Sequence, residues 1–304
     1  MKITICLSLL LVSIRVIGQP YNTSWKNINY AGDTTVSHRM DIYLPKEVKD
    51  KYPAIILIYG SAFFGNDMKH VAFERLGGPL LAGGFAVVAI NHRSSREAIF
   101  PAQIHDVKAA IRFIRGNAGQ YQIDRSFVGI TGYSSGGHLS AFAGTTGNNS
   151  GHQLGKVEID LEGSVGKFTG QPSAIDAVVD WFGPTDFLIM DSCGSSMTHD
   201  ASDSPESILV GGPIQENIEK VKLANPITYV DGDDPPFLIF HGDKDPLVPY
   251  CQSEKLYEAL QQSGVESQLL IIPEGKHGPG VFEEKYFAKM VNFFLKIQED
   301  KNGQ

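Results

Sequence analysis

Residues 54–59 read Ala-Ile-Ile-Leu-Ile-Tyr, without the polar alternation of a strand that has one wet face. Such a run must be covered on both sides, the condition of an inner strand in a parallel sheet. Similar short runs rich in Val, Ile and Phe fall at 87–90, 127–130, 175–181, 237–240 and 268–272. Helical stretches separate them, at 70–82, 102–115, 135–145, 252–262 and 283–296. Within 102–115, apolar Ile104, Val107, Ala110, Ile111 and Ile114 recur at helical spacing. Strand-then-helix order predicts an α/β fold, a mostly parallel sheet with helices on both faces. Two earlier runs, 25–30 and 39–44, read as antiparallel edge strands and bring the sheet to eight.

Two stretches break the alternation. Residues 146–173 are long and Gly-rich, and 183–234 hold only short helical pieces. Both follow strands that end at the same rim, so they are expected to shape a substrate site as a small cap. The first 18 residues form another departure. Lys2, an apolar run from Ile3 to Ile14 and Val16-Ile17-Gly18 read as a signal peptide, leaving 19–304 as one domain. The run is too short to span a bilayer, and Cys6 lies too early for a lipid-attachment cysteine. The expectation is a secreted or periplasmic protein with no stable membrane association after cleavage. Cys193 and Cys251 would then be the two cysteines left in an oxidising compartment, which makes a bridge between them a hypothesis. The net charge of -8 argues against nucleic acid as a partner.

Gly132-Tyr133-Ser134-Ser135-Gly136 follows the strand at 127–130 and opens a helix containing Leu139, Ala141, Phe142 and Ala143. A G-x-S-x-G pattern in that context is a nucleophile elbow, with the Ser134 hydroxyl exposed at the apex of a sharp turn. The partners then follow in the order serine, acid, histidine. Of nine histidines, His277 alone lies past the acid-bearing loop, in a turn after the last strand. The acid falls in His241-Gly242-Asp243-Lys244-Asp245-Pro246. Asp245 lies further out and can reach an imidazole, whereas Asp243 suits the amides of its own turn. Oxyanion donors are expected from the backbone of Ser135 and from the loop after residue 59, at Ser61 or Ala62. Phe63, Trp181 and Asp186 follow strand ends and are candidate substrate contacts, with core packing or turn capping as the plainer alternatives. His70, His92, His105, His138 and His241 fit structural roles. No spacing resembles a zinc site or a phosphate loop, so neither metal nor cofactor is expected.

With these residues in place, the chain resembles the carbohydrate-esterase branch of the α/β hydrolases. It is particularly similar to the acetylxylan and feruloyl esterases of gut bacteria. The resemblance rests on Ile58-Tyr59-Gly60-Ser61-Ala62-Phe63-Phe64, Gly132-Tyr133-Ser134-Ser135-Gly136-Gly137-His138, Asp180-Trp181-Phe182-Gly183-Pro184-Thr185-Asp186 and Asp243-Lys244-Asp245-Pro246-Leu247-Val248-Pro249. It implies an α/β-hydrolase fold and a serine esterase whose substrate is a small-molecule or oligosaccharide ester. One departure is Tyr59-Gly60-Ser61 where such esterases usually carry His-Gly-Gly; Tyr59 can hydrogen-bond in place of the histidine. A serine exopeptidase of the prolyl-oligopeptidase type uses the same triad but carries a larger N-terminal domain. A lipase or aryl esterase shares the triad too, although 183–234 is polar for a lipid lid. The non-enzymatic alternative is a binding protein on a hydrolase scaffold.

Overall fold

The computed structural model describes residues 21–303, so the expected signal peptide lies outside the described residues. Among the described residues there are ten strands: β1 (Ser24–Asn29), β2 (Arg39–Tyr43), β3 (Tyr52–Ile58), β4 (Ala86–Ile90), β5 (Ile123–Tyr133), β6 (Gly151–Leu154), β7 (Val157–Asp160), β8 (Ala177–Trp181), β9 (Phe237–Gly242) and β10 (Ser267–Ile272). Eight of them form one sheet in the order β1-β2-β4-β3-β5-β8-β9-β10. The pairings of β1 with β2 and of β2 with β4 are antiparallel. From β4 to β10 every pairing is parallel. This is the α/β-hydrolase fold.

The apolar run in β3 behaves as its composition requires. Ala54, Ile56 and Ile58 enter one hydrophobic cluster, and Ile55, Leu57 and Tyr59 enter another on the opposite face. Side chains alternate across a strand, so an uninterrupted apolar run serves two cores at once. The first face is covered by α3 (Ala102–Gly116), α4 (Ser135–Thr145) and α7 (Cys251–Gln262), through residues such as Ile104, Leu139 and Leu256. The second is covered by α8 (Glu284–Asn302) and the 69–82 segment, through Met290, Phe294, Leu76 and Leu80.

That last segment is not the single helix its periodicity predicts. α1 (Lys69–Ala72) and α2 (Gly78–Ala82) are joined by a π-helical turn over Phe73–Gly77. Pro79 has no N–H to offer the Arg75 carbonyl, and two glycines precede it, so the ladder widens there. The first long stretch contains a hairpin that its sequence does not announce, and the second holds the short helical pieces expected. The hairpin β6–β7 lies within 146–173, while α5 (Pro205–Val210) and α6 (Ile218–Leu223) occupy 183–234. The hairpin packs on α6.

Candidate active site

Ser134 stands between β5 and α4 with φ 56° and ψ −126°, a conformation that costs a non-glycine residue free energy. The turn closes only because its flanks lack side chains. A Cβ on Gly132 would lie 2.3 Å from the Gly136 carbonyl oxygen, and one on Gly136 would lie 2.5 Å from the Ile58 oxygen. The Ser134 N–H donates to the Trp181 carbonyl at 2.9 Å, which pins the elbow to β8.

His277 and Asp245 arrive from the loops after β10 and β9. The Asp245 carboxylate accepts the His277 Nδ1–H at 2.7 Å. This bond places the imidazole proton on Nδ1 and leaves Nε2 free to accept the Ser134 hydroxyl at 2.9 Å. Asp245 is buried and also accepts the backbone N–H groups of Leu247 and Val248 at 2.9 and 3.0 Å. Burial alone raises its carboxyl, but hydrogen bonds from His241 and His277 outweigh burial and hold it well below the usual carboxylate range. It is therefore ionised wherever the imidazole works. Asp243 takes a different role from the one expected: its Oδ1 accepts the Glu274 N–H at 2.7 Å, across to the His277 loop. His241 is structural, its Nε2–H donating to the Val248 carbonyl at 2.8 Å.

The expected oxyanion donors lie at the start of α4 and in the loop after β3. Ser135 begins α4, so its N–H is one of the helix's unpaired first-turn donors, at the end where the helix dipole favours negative charge. The loop after β3 separates the two expected donors. The Ser61 N–H is engaged by the Ser135 hydroxyl at 2.9 Å, which removes Ser61 as an oxyanion donor. Ala62 and Phe63 have φ of 50° and 63°, and the Ala62 N–H meets no protein acceptor among the described residues. Tyr59 does what the missing histidine leaves open: its buried hydroxyl donates to the Gly65 carbonyl at 3.0 Å and ties down the far end of this loop.

A cleft of about 480 Å3 opens above Ser134 and His277. The expected contacts need correction. Trp181 is fully buried, stacked on Phe240 at 4.2 Å, with its indole N–H donating to Thr131. It serves the site through its backbone carbonyl alone. The neighbouring Phe182, with φ 44°, borders the cleft but is itself buried, its ring packed 4.6 Å from the His277 ring. Phe63 is 1% exposed and packs beside His138 and Phe187, so it belongs to the core. Asp186 caps the short turn at Phe187–Ile189 by accepting the Leu188 N–H at 3.2 Å, and it does not line the cleft. Residues 146–173 and 183–234 contribute no lining residue either, so they do not roof Ser134 as a cap would.

The 183–234 insertion instead braces the acid loop. Ser196 donates to the Pro246 carbonyl from its N–H at 2.8 Å and its hydroxyl at 2.6 Å. The Cys193–Cys251 disulfide joins the same segment to the start of α7. Ser195, His199 and Glu206 form a second serine–histidine–carboxylate row, at 2.9 Å for each contact. It is not a second nucleophile. Burial depresses the His199 imidazole, yet its hydrogen bond to Glu206 outweighs this and raises it. The Ser195 hydroxyl and His199 Nε2 both point to the Leu247 carbonyl, each at 3.0 Å.

Beneath the elbow lies a further titratable group. Asp180 is fully buried; one oxygen accepts the Gly183 N–H at 2.9 Å and the other has no partner. Burial pushes its carboxyl up to about 7, against the smaller opposing pull of that hydrogen bond.

The BD-FAE family model matches residues 40–260, which include the elbow and Asp245. The chain belongs to the BD-FAE family. A truncated form of a carbohydrate esterase from gut microbiota is 51% identical, with a TM-score of 0.88 over 91% of this chain and 97% of that one. A bifunctional GH43-CE protein from Bacteroides eggerthii is 49% identical, with a TM-score of 0.87 over 90% of this chain and 35% of its own. Esterase LipQ of Mycobacterium tuberculosis is 31% identical over 249 residues, 81% of this chain and 55% of that protein. The chain thus spans about half the length of the curated relatives it matches. Membership in the BD-FAE family accords with the elbow, since the matched segment carries both of its flanking glycines.

Proposed function

We propose that the protein hydrolyses carboxylic esters through an acyl-enzyme on Ser134. The observation that carries this reading is the unbroken row from Asp245 through His277 to Ser134, at 2.7 and 2.9 Å, on the floor of an open cleft. As Ser134 Oγ attacks the ester carbonyl, its proton passes to His277 Nε2. The imidazolium so formed lies against the ionised Asp245. The carbonyl oxygen, now negative, is received by the N–H groups of Ser135 and Ala62. Such a donor lowers the barrier by about 3 kcal/mol in comparable sites. Collapse of the intermediate breaks the bond to the alcohol oxygen, which takes the proton from His277. Water then repeats the sequence on the acyl-enzyme, releasing the acid and restoring Ser134.

The substrate we propose is an acetyl or feruloyl ester on plant cell-wall polysaccharide such as xylan. The relatives described as carbohydrate esterases, at about half identity over nine-tenths of the chain, support this choice. The aromatic wall of the cleft suits an acyl group with an apolar body. We further propose export, supported by the Cys193–Cys251 disulfide, since such bonds persist in oxidising compartments. Incubation with arabinoxylan fragments tests the substrate: acetate or ferulate should be released. Activity confined to p-nitrophenyl esters of octanoate or longer acids would reject it.

A further inference from the structure

Arg75 lines the cleft together with Ser134, and no other lining side chain carries a permanent charge. It is exposed, and among the described residues it forms no ion pair. Its position is nonetheless defined. It projects from the π-helical turn at Phe73–Gly77, and its guanidinium lies 5.1 Å from the centre of the Phe282 ring. The Phe282 ring is 5.3 Å from Phe182, whose ring is 4.6 Å from His277. Phe282, half-buried and backed by the buried Phe182 ring, thus forms the apolar wall between the imidazole and the guanidinium.

From this arrangement we infer that Arg75 is a specificity residue that receives a carboxylate on the ester substrate. The inference rests on the esterase reading above. A guanidinium matches a carboxylate with two parallel N–H donors, and a cation seated on an aromatic face is partly pre-ordered for that contact. The remainder of the molecule discourages an anion, because the chain carries a net charge of -8. An unpaired cation in the cleft is therefore the feature that distinguishes an anionic ester from a neutral one. The favoured substrate has an apolar or aromatic body along Phe282 and a carboxylate at its far end.

The carboxylate can sit on either side of the scissile bond, and paired substrates separate the two. On the alcohol side, 4-acetoxybenzoate is compared with methyl 4-acetoxybenzoate; on the acyl side, methyl 4-carboxycinnamate with methyl cinnamate. For one pair, kcat/KM should favour the charged member. Arg75→Gln should lower that preference by roughly 5- to 10-fold, mainly through KM. Arg75→Lys should retain part of it, and about 0.5 M NaCl should shrink it in the wild type. An equal charged-to-neutral ratio in wild type and Arg75→Gln, for both pairs, overturns the inference while turnover of the neutral esters leaves the esterase reading intact. Failure to cleave any of the four, with no fluorophosphonate adduct on Ser134, removes the esterase reading and this inference with it.

Discussion

Asp243 accepts the backbone N–H of Glu274 at 2.7 Å, so the loop that carries Asp245 is tied directly to the loop that carries His277. The contact joins β9 to β10 at their carboxyl ends, where the two triad partners must meet. Asp243→Ala keeps every triad side chain but removes this tie. We expect kcat to fall about tenfold with a smaller change in KM, since small displacements of a proton carrier are costly. Steady-state kinetics on p-nitrophenyl acetate measures both, and an unchanged kcat would show that the loops hold their places without it.

Tyr59 gives a matching test on the oxyanion side. Its hydroxyl bonds the Gly65 carbonyl, beyond the strained pair Ala62 and Phe63. Tyr59→Phe should lower kcat several-fold and destabilise the fold by about 1 kcal/mol, the usual cost of one hydrogen bond. A loss confined to stability, with kcat intact, would mean that the loop keeps its shape unaided.

The buried Asp180 makes stability depend on pH. Its carboxyl is raised to about 7 in the folded chain, above the ordinary aspartate value. Between about pH 4 and 7 the folded state therefore holds the proton that the unfolded state has lost, and stability falls as pH rises through this window. The full effect is at most roughly 4 kcal/mol. Asp180→Asn keeps the acceptor for the Gly183 N–H and cannot ionise. Thermal melts at pH 5 and 8 should differ less for the variant than for the wild type; equal differences would contradict the argument.

The Cys193–Cys251 bond spans 58 residues of sequence and fastens the 183–234 insertion to α7. In the chain-entropy account, closing a loop of that length contributes about 4 kcal/mol. A Cys193→Ser/Cys251→Ser double variant should lose about 2–4 kcal/mol in urea unfolding. Alkylation without reduction should add nothing to the mass of wild-type protein comprising residues 19–304, which lacks Cys6.

The sheet was legible because its inner strands are apolar at consecutive positions, and because helical spacing recurs between them. The triad was legible because chain order leaves His277 as the last available imidazole. Other features depend on neighbours distant in sequence. No local pattern reveals that the Ser61 N–H meets the Ser135 hydroxyl, 74 residues on. Trp181 and Phe182 are adjacent aromatics at a strand end, and no local pattern reveals that both rings are buried while Phe182 packs against His277. The β6–β7 hairpin carries no strand signal in the sequence, because half of its positions are exposed and only Ile159 is buried. Arg75 carries no sequence signal at all, since its importance lies in the cleft wall it joins.

The central claim is that the Ser134 hydroxyl is the nucleophile activated by His277. Intact and peptide mass spectrometry after treatment with a fluorophosphonate addresses it directly. The expected result is one adduct, on the peptide bearing Ser134, formed far more slowly in His277→Ala and absent in Ser134→Ala, whose esterase activity should fall by at least about 10^4-fold. An unlabelled yet folded wild-type protein, or a Ser134→Ala variant that still turns over ester, would contradict the account.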